Sequence, residues 1–351
     1  MTETLLSGRT YYKPYTYERL FKRWEVHETS HWMYHEVPMT SDIIDWETKL
    51  SPAQKDFLTN IFRFFTQGDV DIAGAYYKSY LPLLGNLPEA TMMMGSFAAR
   101  EPTHIATYSY LMESLQMPET IYAEFLNYKE MKDKHEYLNY YLETSHLINK
   151  KNLTLADKEH IALSIGLFSG GVEGIQLFSS FTMLLLFPLN GLLKSMGQLV
   201  TWSMVDETQH VDGMIDVLKI FMVENNLTPN QLQPKMHKII KDVVDLERKF
   251  ITLVFNKYDS SEFFGMTPQK LELYIEYIAD HRLVTMGFDK LYKTSEHNPL
   301  PEMAVMINAP SHTNFFENTS TDYSLVAYTG SWATDVWGNS KLLQNIQISV
   351  N

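Results

Sequence analysis

The chain carries four Glu-x-x-His pairs: Glu28/His31, Glu101/His104, Glu143/His146 and Glu207/His210. On a helix that spacing puts both side chains on one face, one turn apart, where a carboxylate and an imidazole can hold one cation. With 25 Glu and 12 His in 351 residues, chance gives about one such pair. Glu101/His104 lies in GSFAAREPTHIATYSYL and Glu207/His210 in LVTWSMVDETQHVDGMIDVL, both flanked by apolar and small residues, so these two face a core. Glu143/His146 precedes the polar INKKN segment and reads as a solvated helix end. Glu28/His31 shares a polar stretch with Glu25 and His27 and reads as surface or loop.

Buried carboxylates are costly unless paired or bound to a cation. Two inward Glu-x-x-His pairs therefore call for cations, and a dinuclear site needs further carboxylates. Asp69 precedes Glu101, and Glu173 precedes Glu207, at nearly the same interval. From Asp69 up to Leu81 is about 18 Å of helix, and from Pro88 back to Glu101 about 20 Å. From Glu173 to Phe187 is about 21 Å, and from Gly191 to Glu207 about 24 Å. Two helical hairpins thus bring each lone carboxylate level with a Glu-x-x-His pair. The expected ligand set is Asp69, Glu101, His104, Glu173, Glu207 and His210. Asp71 competes with Asp69, but Asp69 shares the apolar stripe of Ile61, Phe62, Phe65, Ala73 and Tyr76. Asp71 instead falls with Asn60, Phe64, Gln67 and Lys78.

Four carboxylates and two imidazoles make a hard, oxygen-rich set suited to iron or manganese. The donors do not choose between Fe/Fe, Mn/Mn and Mn/Fe, of which a di-iron pair is put first; zinc alone would supply no redox chemistry. The chain has no cysteine, which excludes thiolate metal sites, iron–sulfur clusters and a Cys nucleophile. Its net charge of −13, with no dense Lys/Arg run, argues against a nucleic-acid partner. The first ten residues lack a basic-then-apolar signal pattern. The longest strongly apolar run, Met183 to Phe187, is far short of the ~20 residues a membrane span needs. A cytoplasmic protein with no membrane partner is expected.

The elements that must position these residues are helical. Ser51-Pro52 opens a helix as cap and first turn, and Phe57, Leu58, Ile61, Phe62, Phe65, Ile72 and Tyr76 mark its buried face. Further helices are expected near 88–116, 118–148 and 155–187. After a break at Pro188–Gly191, more follow to 224, near 228–258 and near 267–291. Strand-type alternation is scarce. The fold class is all-α, a ferritin-like helical bundle with a buried dinuclear site and extra flanking helices. Residues 1–310 are read as one domain, with 1–50 an N-terminal extension packing on it. Residues 311–351, rich in Ser, Thr and Asn and regaining apolar residues only from Leu342 to Val350, read as a flexible tail with a sticky end.

Tyr108 stands one turn after His104 on the same face, where a phenol beside an oxygen-activating metal pair can lose one electron. With TQGDVDIAGAY, REPTHIATY, GGVEGIQLF and VDETQH in this order and spacing, the chain resembles the small, radical-generating subunit of class I ribonucleotide reductase over roughly residues 15 to 325. The resemblance implies Asp69, Glu101 and His104 at one metal, Glu173, Glu207 and His210 at the other, and a tyrosyl radical at Tyr108. HWMYHEVP resembles the segment carrying a radical-transfer tryptophan, here Trp32, and Asp206 matches the aspartate linking it to His104. FFENTSTDYSLVAY resembles the family's tail, whose tyrosine relays the radical; Tyr323 fits best and Tyr328 competes, while Trp332 and Trp337 have no assigned role. The implied partners are the large subunit, on which the apolar C-terminus would dock, a second copy in a homodimer, and a flavoprotein activator. The implied activity is reduction of ribonucleoside diphosphates to deoxyribonucleotides.

The chain departs from the family at several places. Leu177, Phe181 and Ser203 are expected around Tyr108, and Ser203 adds a hydroxyl to a pocket that is usually apolar. Arg100 precedes Glu101, and Val205 stands where an Arg is common. Two other readings fit a di-metal bundle: an oxidase or oxygenase with a substrate cavity at the metals, and a ferritin-like storage protein. Neither would use the tail.

Overall fold

Ser51 starts the helix that carries Asp69. Its hydroxyl accepts from the Gln54 amide (3.2 Å), and the Gln54 side chain accepts from the Ser51 amide (3.0 Å). This reciprocal cap leaves fewer of the first-turn donors without partners. From it helix α3, Pro52–Ala75, runs with Phe57, Leu58, Ile61, Phe62, Phe65 and Ile72 at most 1% exposed. The structure is a computed structural model, described over residues 3–142, 144–148, 150–256 and 258–301. Glu143 and the whole expected tail, 311–351 with Tyr323, Tyr328, Trp332 and Trp337, lie outside the described residues.

Among the described residues there is no strand. Two short helices, α1 (Glu18–Glu28) and α2 (Thr40–Thr48), precede α3. After α3 a π-helical turn, Tyr76–Tyr80, leads into α4 (Leu81–Leu84), and α5 spans Pro88–Ser114. The short α6 (Thr120–Ala123), α7 (Lys129–Leu142) and α8 (Ser145–Ile148) connect to α9 (Leu155–Gly166). The helix continues through a ten-residue π segment, Leu167–Gln176, into α10 (Leu177–Leu189). Then come α11 (Lys194–Glu224), α12 (Pro229–Phe255) and α13 (Pro268–Met286). Helix α3 packs on α5 and α10 on α11, the two expected hairpins; α1 lies across α5 and α11, while α12 and α13 cover the π segment. The described residues belong to one compact unit, Met1–Ala304.

Proline and glycine shape the helices that bear the site. Pro102 sits inside α5 directly after Glu101. It has no N–H to give the Ala98 carbonyl four residues back. The Tyr77 hydroxyl donates to that carbonyl instead (3.2 Å). In the π segment, Arg282 Nε donates to the Gly174 carbonyl (3.2 Å). A Cβ on Gly170 would stand 2.7 Å from Met286, so the glycine lets α13 approach closely. The run Leu155–Leu189 is long and apolar enough to cross a membrane (mean hydropathy 1.5), but 89% of its most apolar window is buried inside the protein. Its apolar surface is taken up by the bundle core.

Three boundaries differ from the sequence reading. The helix expected over 118–148 is broken into α6, a 3-10 turn (Phe125–Asn127), α7 and α8. Tertiary contacts hold the break: Phe125 is buried, Arg63 pairs with Glu124 (2.8 Å) and its guanidinium lies over the Tyr128 ring (4.5 Å). Pro188 does not stop α10, which runs to Leu189, because a proline in the last turn costs one hydrogen bond only. Finally, α1 lies in a stretch read as polar surface. Its buried residues are Leu20 and His27, two turns apart on one face.

Lys134 on α7 and Glu247 on α12 form an ion pair of 2.7 Å with both side chains almost fully buried. The ammonium also lies over the Phe64 (3.7 Å) and Phe250 (4.3 Å) rings, and burial pushes its pKa down. Replacing one member of such a pair strands the other charge, at a cost of about 3–5 kcal/mol. Lys134→Met is expected to lower the unfolding free energy, read from a denaturant titration, by that amount, and Lys134→Met with Glu247→Leu to recover most of it.

Candidate metal centre

The two hairpins bring the six expected ligands together in the buried core. Asp69 comes from α3, Glu101 and His104 from α5, Glu173 from the π segment, and Glu207 and His210 from α11. None is more than 1% exposed. Glu101, Glu173, Glu207 and His210 each place one ligand atom within 4.8 Å of the others. His210 Nδ1 is 3.1 Å from Glu101, 3.3 Å from Glu207 and 3.8 Å from Glu173. His104 Nδ1 is 3.0 Å from Glu207 and 3.4 Å from Glu101. Glu101 and Glu207 thus stand between the two imidazoles. Asp71 points elsewhere: it accepts from Gln67 and pairs with His135.

The polar atoms facing this chamber lack partners. Asp69 Oδ2, both Glu101 oxygens, Glu173 Oε2, Glu207 Oε2 and the Nδ1 atoms of His104 and His210 make no hydrogen bond among the described residues. Buried polar groups are nearly always satisfied, so each exception calls for an explanation. A shared cation supplies one for all seven, and the donor set, oxygens with two imidazole nitrogens, fits a pair of iron or manganese ions. The electrostatics agree. Burial pushes the Asp69 and Glu173 carboxyls well above the usual range, and neighbouring carboxylates push further. Burial opposes protonation of His210, but Glu207 and Glu101 hold it up at about 10. Burial also raises Glu207, yet His210 and His104 bring it down to about 2.

The back of each imidazole is also held. His104 Nε2 lies 3.2 Å from Asp206 Oδ2, and the same oxygen accepts from the Trp32 indole (2.8 Å). Trp32 stacks near-parallel on His104, with ring centres 5.9 Å apart, and packs on Trp202 at 5.3 Å. Arg100 Nε stands 3.6 Å from Asp206 Oδ2. Trp32, Asp206 and His104 are therefore in continuous contact. His210 Nε2 faces a residue absent from the expected site, His27, at 3.2 Å. Burial, helped by the charges of His210 and Arg100, pushes His27 down to about 2, so it is neutral. The spacing of Leu20 and His27 on α1 was the one sequence signal for it, obscured by polar neighbours.

Tyr108 is 2% exposed, and its hydroxyl has no hydrogen-bond partner among the described residues. Its ring lies flat against Phe65 (4.1 Å, 10°), which in turn stacks on Phe181 (5.5 Å). Burial, then the charges of Asp69 and Glu207, raises the phenol well above its ordinary pKa, while Ser203 acts in the opposite sense. Leu177 is buried. Two aromatic contacts escaped the sequence reading: Phe65, taken only as core, and Tyr76, whose hydroxyl donates to Glu173 Oε1 (3.0 Å). His31 is exposed, as is His146.

Residues 9–299 match the family described as "Ribonucleotide reductase, small chain". The chain is 54% identical to a probable ribonucleoside-diphosphate reductase small subunit of Invertebrate iridescent virus 6, over 95% of this chain and 99% of that one. It is 44% identical to the corresponding protein of Invertebrate iridescent virus 3, over 93% and 88%. In fold it is similar to the ribonucleotide reductase R2 subunit from Clostridium botulinum, with a TM-score of 0.75 at 16% identity over 86% of this chain and 92% of that one. The chain belongs to the ribonucleotide reductase small-chain family.

Proposed function

We propose that this chain is the radical-generating small subunit of a class I ribonucleoside-diphosphate reductase. The observation that carries the reading is the ring of buried carboxylate and imidazole atoms without hydrogen bonds, one helical turn from a sheltered tyrosine. The names of the relatives supply the substrate class. Asp69, Glu101 and His104 would hold one metal ion, and Glu173, Glu207 and His210 the other. A di-iron pair is the first choice, with Mn/Mn and Mn/Fe compatible with the same donors. When bound, the pair supplies a one-electron oxidant drawn from an oxygen species.

The chain's own residues then have defined tasks. Tyr108 gives up an electron and its phenolic proton. Phe65 and Phe181 keep water and reductants from the resulting radical. Asp206 joins His104 to the Trp32 indole through one oxygen and so provides a bonded path from the centre to Trp32. Tyr323, outside the described residues, would carry the hole onward to the large subunit, on which residues 311–351 would dock; tethering makes a weak peptide contact effective. Residues 1–310 form the metal-binding domain in this reading. A homodimer, a flavoprotein activator and a cytoplasmic location belong to the same proposal.

Adding Mn(II) or anaerobic Fe(II) to the metal-free chain is expected to raise its melting temperature. The gain corresponds to about 2.7 kcal/mol at a hundred times the dissociation constant. Glu101→Ala and Glu207→Ala should lose most of that rise. After loading with Fe(II), Mn(II) or both and exposure to O2, EPR should show a doublet with tyrosyl hyperfine structure that vanishes in Tyr108→Phe. A metal-centred signal that survives would move the stored oxidant onto the cluster. Two bound ions with neither signal under any loading, or with a flavoprotein reductant, would favour the oxygenase or storage reading. Trp32→Phe should keep the doublet but lose turnover with the large subunit.

A further inference from the structure

The two ligand imidazoles are supported from behind by different chemistry. His104 Nε2 faces the Asp206 carboxylate at 3.2 Å. His210 Nε2 faces His27 Nε2, a second imidazole, at 3.2 Å. Both rings of this pair are fully buried, and Phe97 packs on each, with ring centres 4.6 Å from His210 and 4.9 Å from His27. His27 Nδ1 lies 2.7 Å from the Ser96 hydroxyl, which itself donates to Glu28 at the exposed end of α1.

The polarity of this chain follows from its two ends. Glu28 is a carboxylate and only accepts, so Ser96 spends its proton there and accepts from His27. His27 therefore carries its proton on Nδ1, and its Nε2 is an acceptor. That acceptor faces His210 Nε2, which must donate. With one proton held on Nε2, Nδ1 is the nitrogen left to face a cation, and it lies beside Glu101, Glu173 and Glu207. Asp206 Oδ1, 4.0 Å from His27 Nε2, correspondingly has no hydrogen-bond partner.

We infer that His27, braced by Ser96 and Glu28, is the positioning residue that fixes the ring orientation and tautomer of His210 and so sets the affinity of one metal position. The inference rests on the di-metal reading above. Partners that hydrogen-bond the back of a ligand histidine are worth about 10–100-fold in metal affinity. His104 has its own support in Asp206, so loss of His27 acts on one of the two ions only.

The test is Mn(II) titration of the metal-free full-length chain, with free Mn(II) read by EPR, for wild type, His27→Leu, His27→Gln and Ser96→Ala. Apo melting temperatures check that each variant is folded. Wild type should bind two ions. His27→Leu should keep one at wild-type affinity and weaken the other about 10–100-fold. In that variant, the signal of the coupled pair should give way to that of an isolated Mn(II). His27→Gln should restore both, because its amide oxygen can accept from His210 and its amide nitrogen can donate to Ser96. Ser96→Ala, which leaves the core volume almost intact, should weaken the same ion by a smaller factor, and it carries the test if His27→Leu fails to fold. Wild-type binding of both ions in His27→Leu, or in a Ser96→Ala protein that has to stand in for it, would overturn the inference. So would a glutamine variant as weak as the leucine one. A wild-type chain that binds fewer than two ions would overturn the di-metal reading itself, and this inference with it.

Discussion

Four carboxylates buried in one dry chamber repel one another and have given up water. The arrangement is tolerable only where protons or cations neutralise it. Much of the architecture answers this constraint. The six clustered side chains come from four separate helical segments of two hairpins, so the cluster forms only when the bundle is assembled. The surrounding core must hold oxygens and imidazole nitrogens some 3 Å apart without letting them collapse or letting water in. Long helices locked by large buried side chains provide that stiffness, and the side chains behind each imidazole carry it to the ring atoms.

The fold was legible because its signals are redundant. The Ser51-Pro52 cap, the Phe57-to-Tyr76 stripe and the doubled Glu-x-x-His pairs each point to the same hairpins, and a helix has a fixed rise, so equal lengths return to equal heights. The distinction between Asp69 and Asp71 was also readable, since two positions along a helix turn a side chain from core to flank. What the sequence hid is either tertiary or irregular. The break after Ala123 depends on Arg63, from a distant helix, holding Glu124 and Tyr128. The π segment around Glu173 obeys no periodicity a heptad or 3.6-residue pattern detects, although its glycines are visible. His27 was masked because the helix that carries it, ERLFKRWEVHE, is mostly charged and polar, so a histidine on its buried face reads as one more surface polar residue. The metal-facing side of the site was thus written in residue types, and the supporting side in contacts between elements far apart in the chain.

Tyr108 illustrates how the same core serves two ends. Phe65 and Phe181 are ordinary packing residues of a bundle, and their burial is explained by hydrophobic free energy alone. In the proposed function Phe65, flat against the phenol, and Phe181 behind it would also keep away the water and the hydrogen-bond partners through which a radical decays. Ser203 is the polar exception in that wall, near enough to act on the phenol.

Pro102 and Tyr77 form a pair whose members lie on different elements. The proline leaves the Ala98 carbonyl without its helical donor, and the tyrosine, half exposed on the adjoining π turn, makes good the loss. A survey of the surface would class Tyr77 as a replaceable aromatic. In the hydrogen-bond account of α5 it is a side-chain donor to the backbone, supplied from outside, one turn from Glu101. The two positions therefore act as one unit: with proline at 102 the Ala98 carbonyl depends on the hydroxyl at 77, and a residue with an N–H at 102 would make that hydroxyl dispensable.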